Sequence, residues 1–288
     1  MSIFKAAAIQ MRSGTEPRRN AADMEAMVRE AAAQGATYVQ TPEMTGALVR
    51  DKDARASAFT TEEKDVVVAT AARLASELGI YLHIGSTAIL RTDGKLANRA
   101  LLFGPDGSLL ASYDKIHMFD VDLDNGESWR ESAAYEAGAG ATVADLAIAR
   151  LGFAICYDLR FPQLFRAEAL AGADVLTVPA AFTRQTGEAH WHILLRARAI
   201  ENGAFVIAAA QGGKHEDGRE TYGHSLIVDP WGKVIAEADH DEPGIVIAEI
   251  DTALSAQARK KIPNLKNARE FAVNHVARPE PALRGAAS

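Results

Sequence analysis

Phe4-Lys5-Ala6-Ala7-Ala8-Ile9-Gln10 opens the chain as a short apolar run, and Tyr38-Val39-Gln40-Thr41-Pro42-Glu43 supplies a second that breaks off at a proline. Between them Met24, Met27, Val28 and Ala31 recur at helical spacing, with Asp23, Glu25, Arg29 and Glu30 on the other side and Gly35 at the end. Apolar residues three and four apart form one stripe of a helix, while a short apolar run bounded by turn signals reads as a buried strand. Strand, helix and strand in succession favour a layered α/β fold.

The same reading extends outward. Residues 62–78 form a helix closed by Gly79, and residues 80–84 a strand. Strands at 100–103 and 109–113 flank Gly104-Pro105-Asp106-Gly107, a hairpin signal, and strands at 225–228 and 233–237 flank Asp229-Pro230-Trp231-Gly232, another. Residues 147–155 read as a strand delivering Cys156, 174–179 and 204–210 as strands, and 163–171 and 188–201 as helices. A strand at 245–250 and a helix at 252–261 follow. Residues 120–140 are polar and Gly-rich and read as a long loop, too long for a mere connector. Interleaved β-α units and hairpins call for a mixed sheet, or two sheets packed together with helices outside. No composition break divides the chain, so one domain is expected, with a loose tail from Arg278.

The composition narrows the function classes. The chain has 288 residues, 48% hydrophobic and 24% charged, which is ordinary for a globular protein and excludes intrinsic disorder. Its net charge of −7 gives no support to nucleic-acid binding, which needs a concentrated basic face. A single cysteine, Cys156, permits neither an internal disulfide nor a multi-cysteine metal site. The opening residues lack a basic segment followed by an apolar core, and no apolar run reaches the roughly 18–20 residues that span a bilayer. A soluble, cytoplasmic protein without membrane partners is the expectation.

Three residues at strand ends carry possible chemistry. Cys156 follows an apolar strand and precedes a helix start near Phe161, where a thiol can face a pocket and be activated. Glu43 follows the strand at residues 38–40, and lies on the same sheet end as Cys156 if both strands are parallel. Lys115 in Tyr113-Asp114-Lys115-Ile116-His117 ends a third strand, where a buried ammonium would stabilise an oxyanion. Each has an ordinary alternative: core filling for the cysteine, a cap for the glutamate, a solvated face for the lysine. Their joint occurrence at strand ends favours one Glu-Lys-Cys site.

These three motifs, in this order, resemble those of the nitrilase superfamily of carbon–nitrogen hydrolases. The resemblance runs from Ala7-Ala8-Ile9-Gln10 to Ile262-Pro263 and is closest to the Nit branch, through 114–121, CYDLRFP (156–162), Ala189-His190-Trp191, 194–202 and 222–232. It implies a four-layer α-β-β-α sandwich over residues 1–277 that forms a homodimer or higher homo-oligomer. It also implies catalysis by Glu43, Lys115 and Cys156, a second glutamate at Glu131 or, as the weaker candidate, Glu127, and no metal or cofactor. Tyr157, Arg160, Phe182, Thr183, His190 and Trp191 would bind substrate. The implied reaction is hydrolysis of a small carboxylate-bearing amide through a cysteine thioester with release of ammonia. Deaminated glutathione is the first substrate implied; 2-oxoglutaramate or 2-oxosuccinamate, and N-carbamoyl amino acids, are the alternatives. Arg160 would hold the substrate carboxylate or, equally, pair with Asp158. A Cys-His-Asp hydrolase drawing on the eight histidines, and a silent binding protein of the same fold, are the competing classes. Residues 193–195 read as helix packing, the His224 element as structural, and Gly212-Gly213-Lys214 lacks the spacing of a phosphate loop.

Overall fold

The computed structural model describes residues 2–122, 126 and 128–276. In chain order the first elements are β1 (Ile3–Gln10), α1 (Pro17–Ala33), β2 (Tyr38–Gln40), α2 (Lys52–Ala58), α3 (Val66–Leu78), β3 (Tyr81–Leu90), β4 (Leu96–Phe103) and β5 (Leu109–Asp114). A small hairpin of β6 (Asp120–Asp122) and β7 (Ser128–Arg130) follows, then β8 (Val143–Asp145), β9 (Arg150–Phe153), α4 (Pro162–Leu170) and β10 (Val175–Thr177). The chain continues through α5 (Arg184–Asn202), β11 (Phe205–Ala208), β12 (Gly212–Lys214), β13 (Glu220–Tyr222), β14 (Leu226–Val228), β15 (Val234–Glu237), β16 (Gly244–Asp251) and α6 (Ala253–Lys261).

Two six-stranded sheets form, in the orders β16-β1-β2-β3-β4-β5 and β15-β14-β11-β10-β9-β8. Strand alternation shows how they stack. Ala6 and Ala8 of β1 face a core shared with Leu151 and Phe153 of β9 and with Val206 of β11, whereas Ala7 and Ile9 face Met24 and Val28 of α1 and Leu74 of α3. The first sheet is thus buried on both faces, as parallel strands require. Trp191, Leu195 and Ala199 of α5 join the core under the second sheet. The layers run helix, sheet, sheet, helix, the α-β-β-α sandwich.

Several boundaries differ from the sequence reading for local reasons. The helix expected at 62–78 begins at Val66, because the Asp65 side chain accepts the backbone N–H groups of Val67 and Val68 at 2.8 and 3.0 Å and caps it there. Gly79 ends it at φ 64°. The segment 120–140 is not a structureless loop: it holds the β6–β7 hairpin and a 3-10 turn at Glu131–Ala133. Helix α5 starts four residues before the expected 188, so His190 lies within it rather than near its start. Helix α2 has no expected counterpart. Of the three residues read as helix packing, Leu195 is buried, but Ile193 is 69% exposed. The tail from Arg278 lies outside the described residues.

Candidate active site

The strand ends meet across the sandwich rather than along one sheet. Parallel β2 places Glu43 just beyond the edge of the first sheet, while β9 delivers Cys156 from the second. The expectation that both belong to one sheet end is therefore corrected. Strand β5 is two antiparallel steps from β3 and so runs with β2, which puts Lys115 at the same end as Glu43. Gly85 of β3 makes the approach possible: a Cβ there would collide with the carbonyl oxygen of Thr41 and with Pro179.

Lys115 is 2% exposed, and its Nζ lies 3.0 Å from Glu43 Oε1 and 2.9 Å from Glu131 Oε2. Burial alone would lower its pKa, but the Glu131 and Glu43 carboxylates raise it well above the ordinary lysine value, so the ammonium stays charged. Burial likewise pushes Glu43 up. The Lys115 charge, with hydrogen bonds from Cys156, Lys115 and Asn98, outweighs that and leaves Glu43 below the usual carboxylate value. Glu43 Oε2 also accepts the backbone N–H of Ala181 at 2.8 Å, which ties the two sheets together at the site. For Cys156, burial and the neighbouring Glu43 raise the thiol well above its ordinary value, against the opposing pull of Lys115. The resting cluster therefore holds an ionised carboxylate, an ammonium and a protonated thiol in hydrogen-bonding reach of the carboxylate.

Cys156 sits in a left-handed backbone conformation, φ 50°, unusual for a non-glycine residue and kept only where the surroundings enforce it. Its N–H donates to Pro179 O at 2.9 Å. Buried Asp158 holds the turn: its carboxylate accepts Ile155 N–H at 2.9 Å, Tyr113 Oη at 2.8 Å and His117 N–H at 3.0 Å. With those partners Asp158 forms no ion pair with Arg160.

Sequence reading missed Asn98 on β4. Its Nδ2 donates to Glu43 Oε1 at 2.9 Å and to Glu131 Oε1 at 3.0 Å, and it is fully buried. The reverse amide orientation would aim an oxygen at two carboxylates, so the network fixes it. Alternation along β4 marks Asn98 as an inward polar residue, the one signal available in the sequence. Glu131, not otherwise distinguishable from its neighbours, also accepts Phe119 N–H at 2.7 Å. Glu127 lies outside the described residues.

A cavity of ≈ 290 Å³ opens over this cluster, lined by Glu43, Lys115, Glu131, Cys156, Tyr157, Arg160, Phe182 and Thr183, among others. That is near the lower end, about 300 Å³, of ordinary small-ligand pockets. No histidine lines it among the described residues, which leaves a Cys-His-Asp arrangement without its base. Nor does any cluster of three or more His, Cys, Asp or Glu among those residues have metal-holding geometry.

The chain matches the carbon–nitrogen hydrolase family over residues 5–260. It belongs to that family, in the nitrilase superfamily. It is 40% identical over 273 residues to the deaminated glutathione amidase of Yersinia enterocolitica, covering 93% of this chain and 94% of that protein. It is 36% identical over 273 residues to omega-amidase NIT2 of Homo sapiens, covering 93% and 96%. The crystal structure of the C. elegans NitFhit protein superposes with a TM-score of 0.87 at 33% identity, covering 93% of this chain and 66% of that one.

In this carbon–nitrogen hydrolase two of the expected substrate-binding residues stand outside the cavity. Trp191 is fully buried in the core, packs on Phe182 with ring centroids 5.0 Å apart, and donates Nε1–H to His224 O at 2.9 Å. His190 is exposed on α5, with Nδ1 3.3 Å from Arg160. The His224 element is structural: its ring stacks on Tyr222 with centroids 4.0 Å apart. Among the described residues no helix is long and apolar enough to cross a membrane.

Proposed function

We propose that this hydrolase is an amidase for small carboxylate-bearing amides, with deaminated glutathione as its substrate. The observation that carries the reading is the buried Glu43–Lys115–Cys156 cluster at the floor of a cavity that also presents Arg160. The Arg160 guanidinium lies 5.2 Å from the Phe182 ring centroid and 5.9 Å from that of Tyr157. With Asp158 committed elsewhere and His190 Nδ1 engaging Nη1, its remaining N–H groups are available for a substrate carboxylate.

In the proposed reaction Glu43 takes the Cys156 proton as the sulfur attacks the amide carbon. The negative charge that grows on the carbonyl oxygen is stabilised by Lys115, assisted by the Tyr157 backbone N–H. Glu43 then hands the proton to the departing nitrogen, the C–N bond breaks and a thioester remains. Glu43 next removes a proton from water, which attacks the thioester and releases the acid, and the thiol is restored. Glu131 and Asn98 act through Lys115 and Glu43 by holding their positions. With deaminated glutathione the nitrogen leaves as the amine of cysteinylglycine. Ammonia is the product only from a primary amide such as 2-oxoglutaramate.

The test is a panel of deaminated glutathione, 2-oxoglutaramate and an N-carbamoyl amino acid, following release of the acid product. Deaminated glutathione is expected to give the highest kcat/KM, and Cys156→Ala to abolish turnover. Arg160→Ala is expected to raise KM about tenfold or more, the loss of a charge-assisted contact. Preference for 2-oxoglutaramate would make the protein an omega-amidase with the same mechanism. Turnover of none would sink the reading.

The assembly proposed is a homodimer through the outer helical layer. Ile193 and Ile200, seven residues apart on one face of α5, are 69% and 53% exposed, and neighbouring Trp231 is 59% exposed. A reducing, cytoplasmic location suits a thiol that must remain unoxidised.

A further inference from the structure

Beyond Arg160, the cavity carries a second concentration of positive charge that the reaction does not use. Arg50, Arg55 and Arg219 line it with Trp129. They arrive from two separate excursions, Arg50 and Arg55 from the stretch that runs into and through α2 and Arg219 from the turn between β12 and β13, while Trp129 comes from β7. Arg50 stacks over the Trp129 ring at 4.4 Å and Arg219 at 5.1 Å from its centroid. Stacking holds a guanidinium flat and leaves its edge N–H groups free for a planar acceptor.

The charges nearby leave a surplus. Arg219 is paired with Asp217 at 2.7 Å and Arg130 with Asp122 at 2.9 Å. Arg55 spends its Nε on Val49 O at 2.9 Å. Among the described residues neither Arg50 nor Arg55 has a carboxylate partner, and the opposing charge on the outer lining is Glu220, an exposed residue. A chain of net charge −7 therefore concentrates on one cavity, whose floor is the reacting cysteine, guanidinium groups with no carboxylate partner among the described residues. Arg50 is exposed at the rim, Arg55 and Arg219 are half-buried, and Cys156 is buried.

We propose that Arg50 and Arg55, braced by Trp129 and Arg219, form a distal carboxylate subsite. It takes the far end of a substrate that carries an acid on both sides of the scissile amide: one on the acyl part, one terminating the leaving amine. This rests on the amidase reading with Arg160 at the acyl-side carboxylate, and it names the long diacid, not the short primary amide, as the ligand the cavity is built for.

The probe is deaminated glutathione and its C-terminal carboxamide, which keeps the length and removes the distal charge. Calorimetric binding to Cys156→Ala avoids turnover. The free acid is expected to bind about tenfold to a hundredfold more tightly than the carboxamide, the effect of one charge-assisted contact. That ratio is expected to collapse toward one in the Arg50→Gln/Arg55→Gln double variant, to recover in part with Arg55→Lys, and to shrink with added salt. Equal binding of acid and carboxamide overturns the proposal. So does a ratio that survives the double variant, an equal weakening of both ligands, or no binding of either. Turnover of deaminated glutathione by the unmodified enzyme, followed by release of the acid product, is measured beside it and reports on the amidase reading alone, so the two failures separate.

Discussion

Glu43 sets the proton inventory of the site. It is an ionised carboxylate, the proposed base, next to a thiol whose own ionisation it opposes, while Lys115 favours thiolate. Glu43→Gln removes the negative charge and leaves the ammonium, so the thiol pKa is expected to fall. Iodoacetamide alkylation of Cys156 should then reach half-maximal rate at lower pH than in the unmodified protein, while amide turnover drops about 10²–10⁴-fold for want of a proton carrier. Lys115→Met should move the alkylation midpoint the other way. A Glu43→Gln midpoint at or above that of the unmodified protein would refute the assignment of Glu43 as the base. The depressed Glu43 contributes stability above the unfolded glutamate value, lost as pH falls through its folded value. The raised Lys115 contributes stability below the unfolded lysine value, lost as pH rises through its own. Between the ordinary values of 4.5 and 10.5 both groups keep their charges.

At the scale of elements the site depends on a close approach at Gly85, to the backbone carbonyls of Thr41 and Pro42 and the ring of Pro179. The turn after β2 and the segment after β10 press together over Gly85 of β3, where backbone carbonyls and a rigid proline ring leave nothing that can yield. Gly85→Ala is expected to destabilise the fold by about 1–3 kcal/mol, as overpacking does. Activity should suffer more than stability, because the displaced atoms belong to the turn that ends in Glu43 and to the segment whose carbonyl, Pro179 O, anchors Cys156. Thermal unfolding and kcat measured on the same preparation check this. A variant that loses stability but keeps full kcat per folded molecule would show that the spacing of the sheets does not tune the site. The nearby Asp158 works similarly on a smaller span, gathering Ile155, Tyr113 and His117 around the strained Cys156.

At the scale of the whole molecule, the exposed apolar face of α5 is expected to be covered by a second copy. Ile193→Glu with Ile200→Glu should convert a dimer to monomer in analytical ultracentrifugation without changing the far-ultraviolet spectrum of the folded chain, since both side chains point away from the core. A dimer that survives both charges would place the interface elsewhere.

The sequence by itself determined the residue types of the proposed chemistry and the local elements that carry them. Strand runs ending in Glu43, Lys115 and Cys156, the helical stripe of α1 and the Gly-containing turns after β4 and β14 are all properties of near neighbours, and periodicity and turn chemistry report near neighbours faithfully. Only the tertiary structure decided which sheet each strand joined, and so that Glu43 and Cys156 meet across two sheets. The same limit explains Asn98, whose partners lie 55 and 33 residues away, and Trp191, whose place in the core rather than the cavity depends on Phe182 and His224. It explains the distal arginines as well, since Arg50 and Arg219, far apart in the chain, converge on Trp129. Burial is written in the pattern of a segment; the partner that shares the burial is written in another segment, and only packing brings the two together.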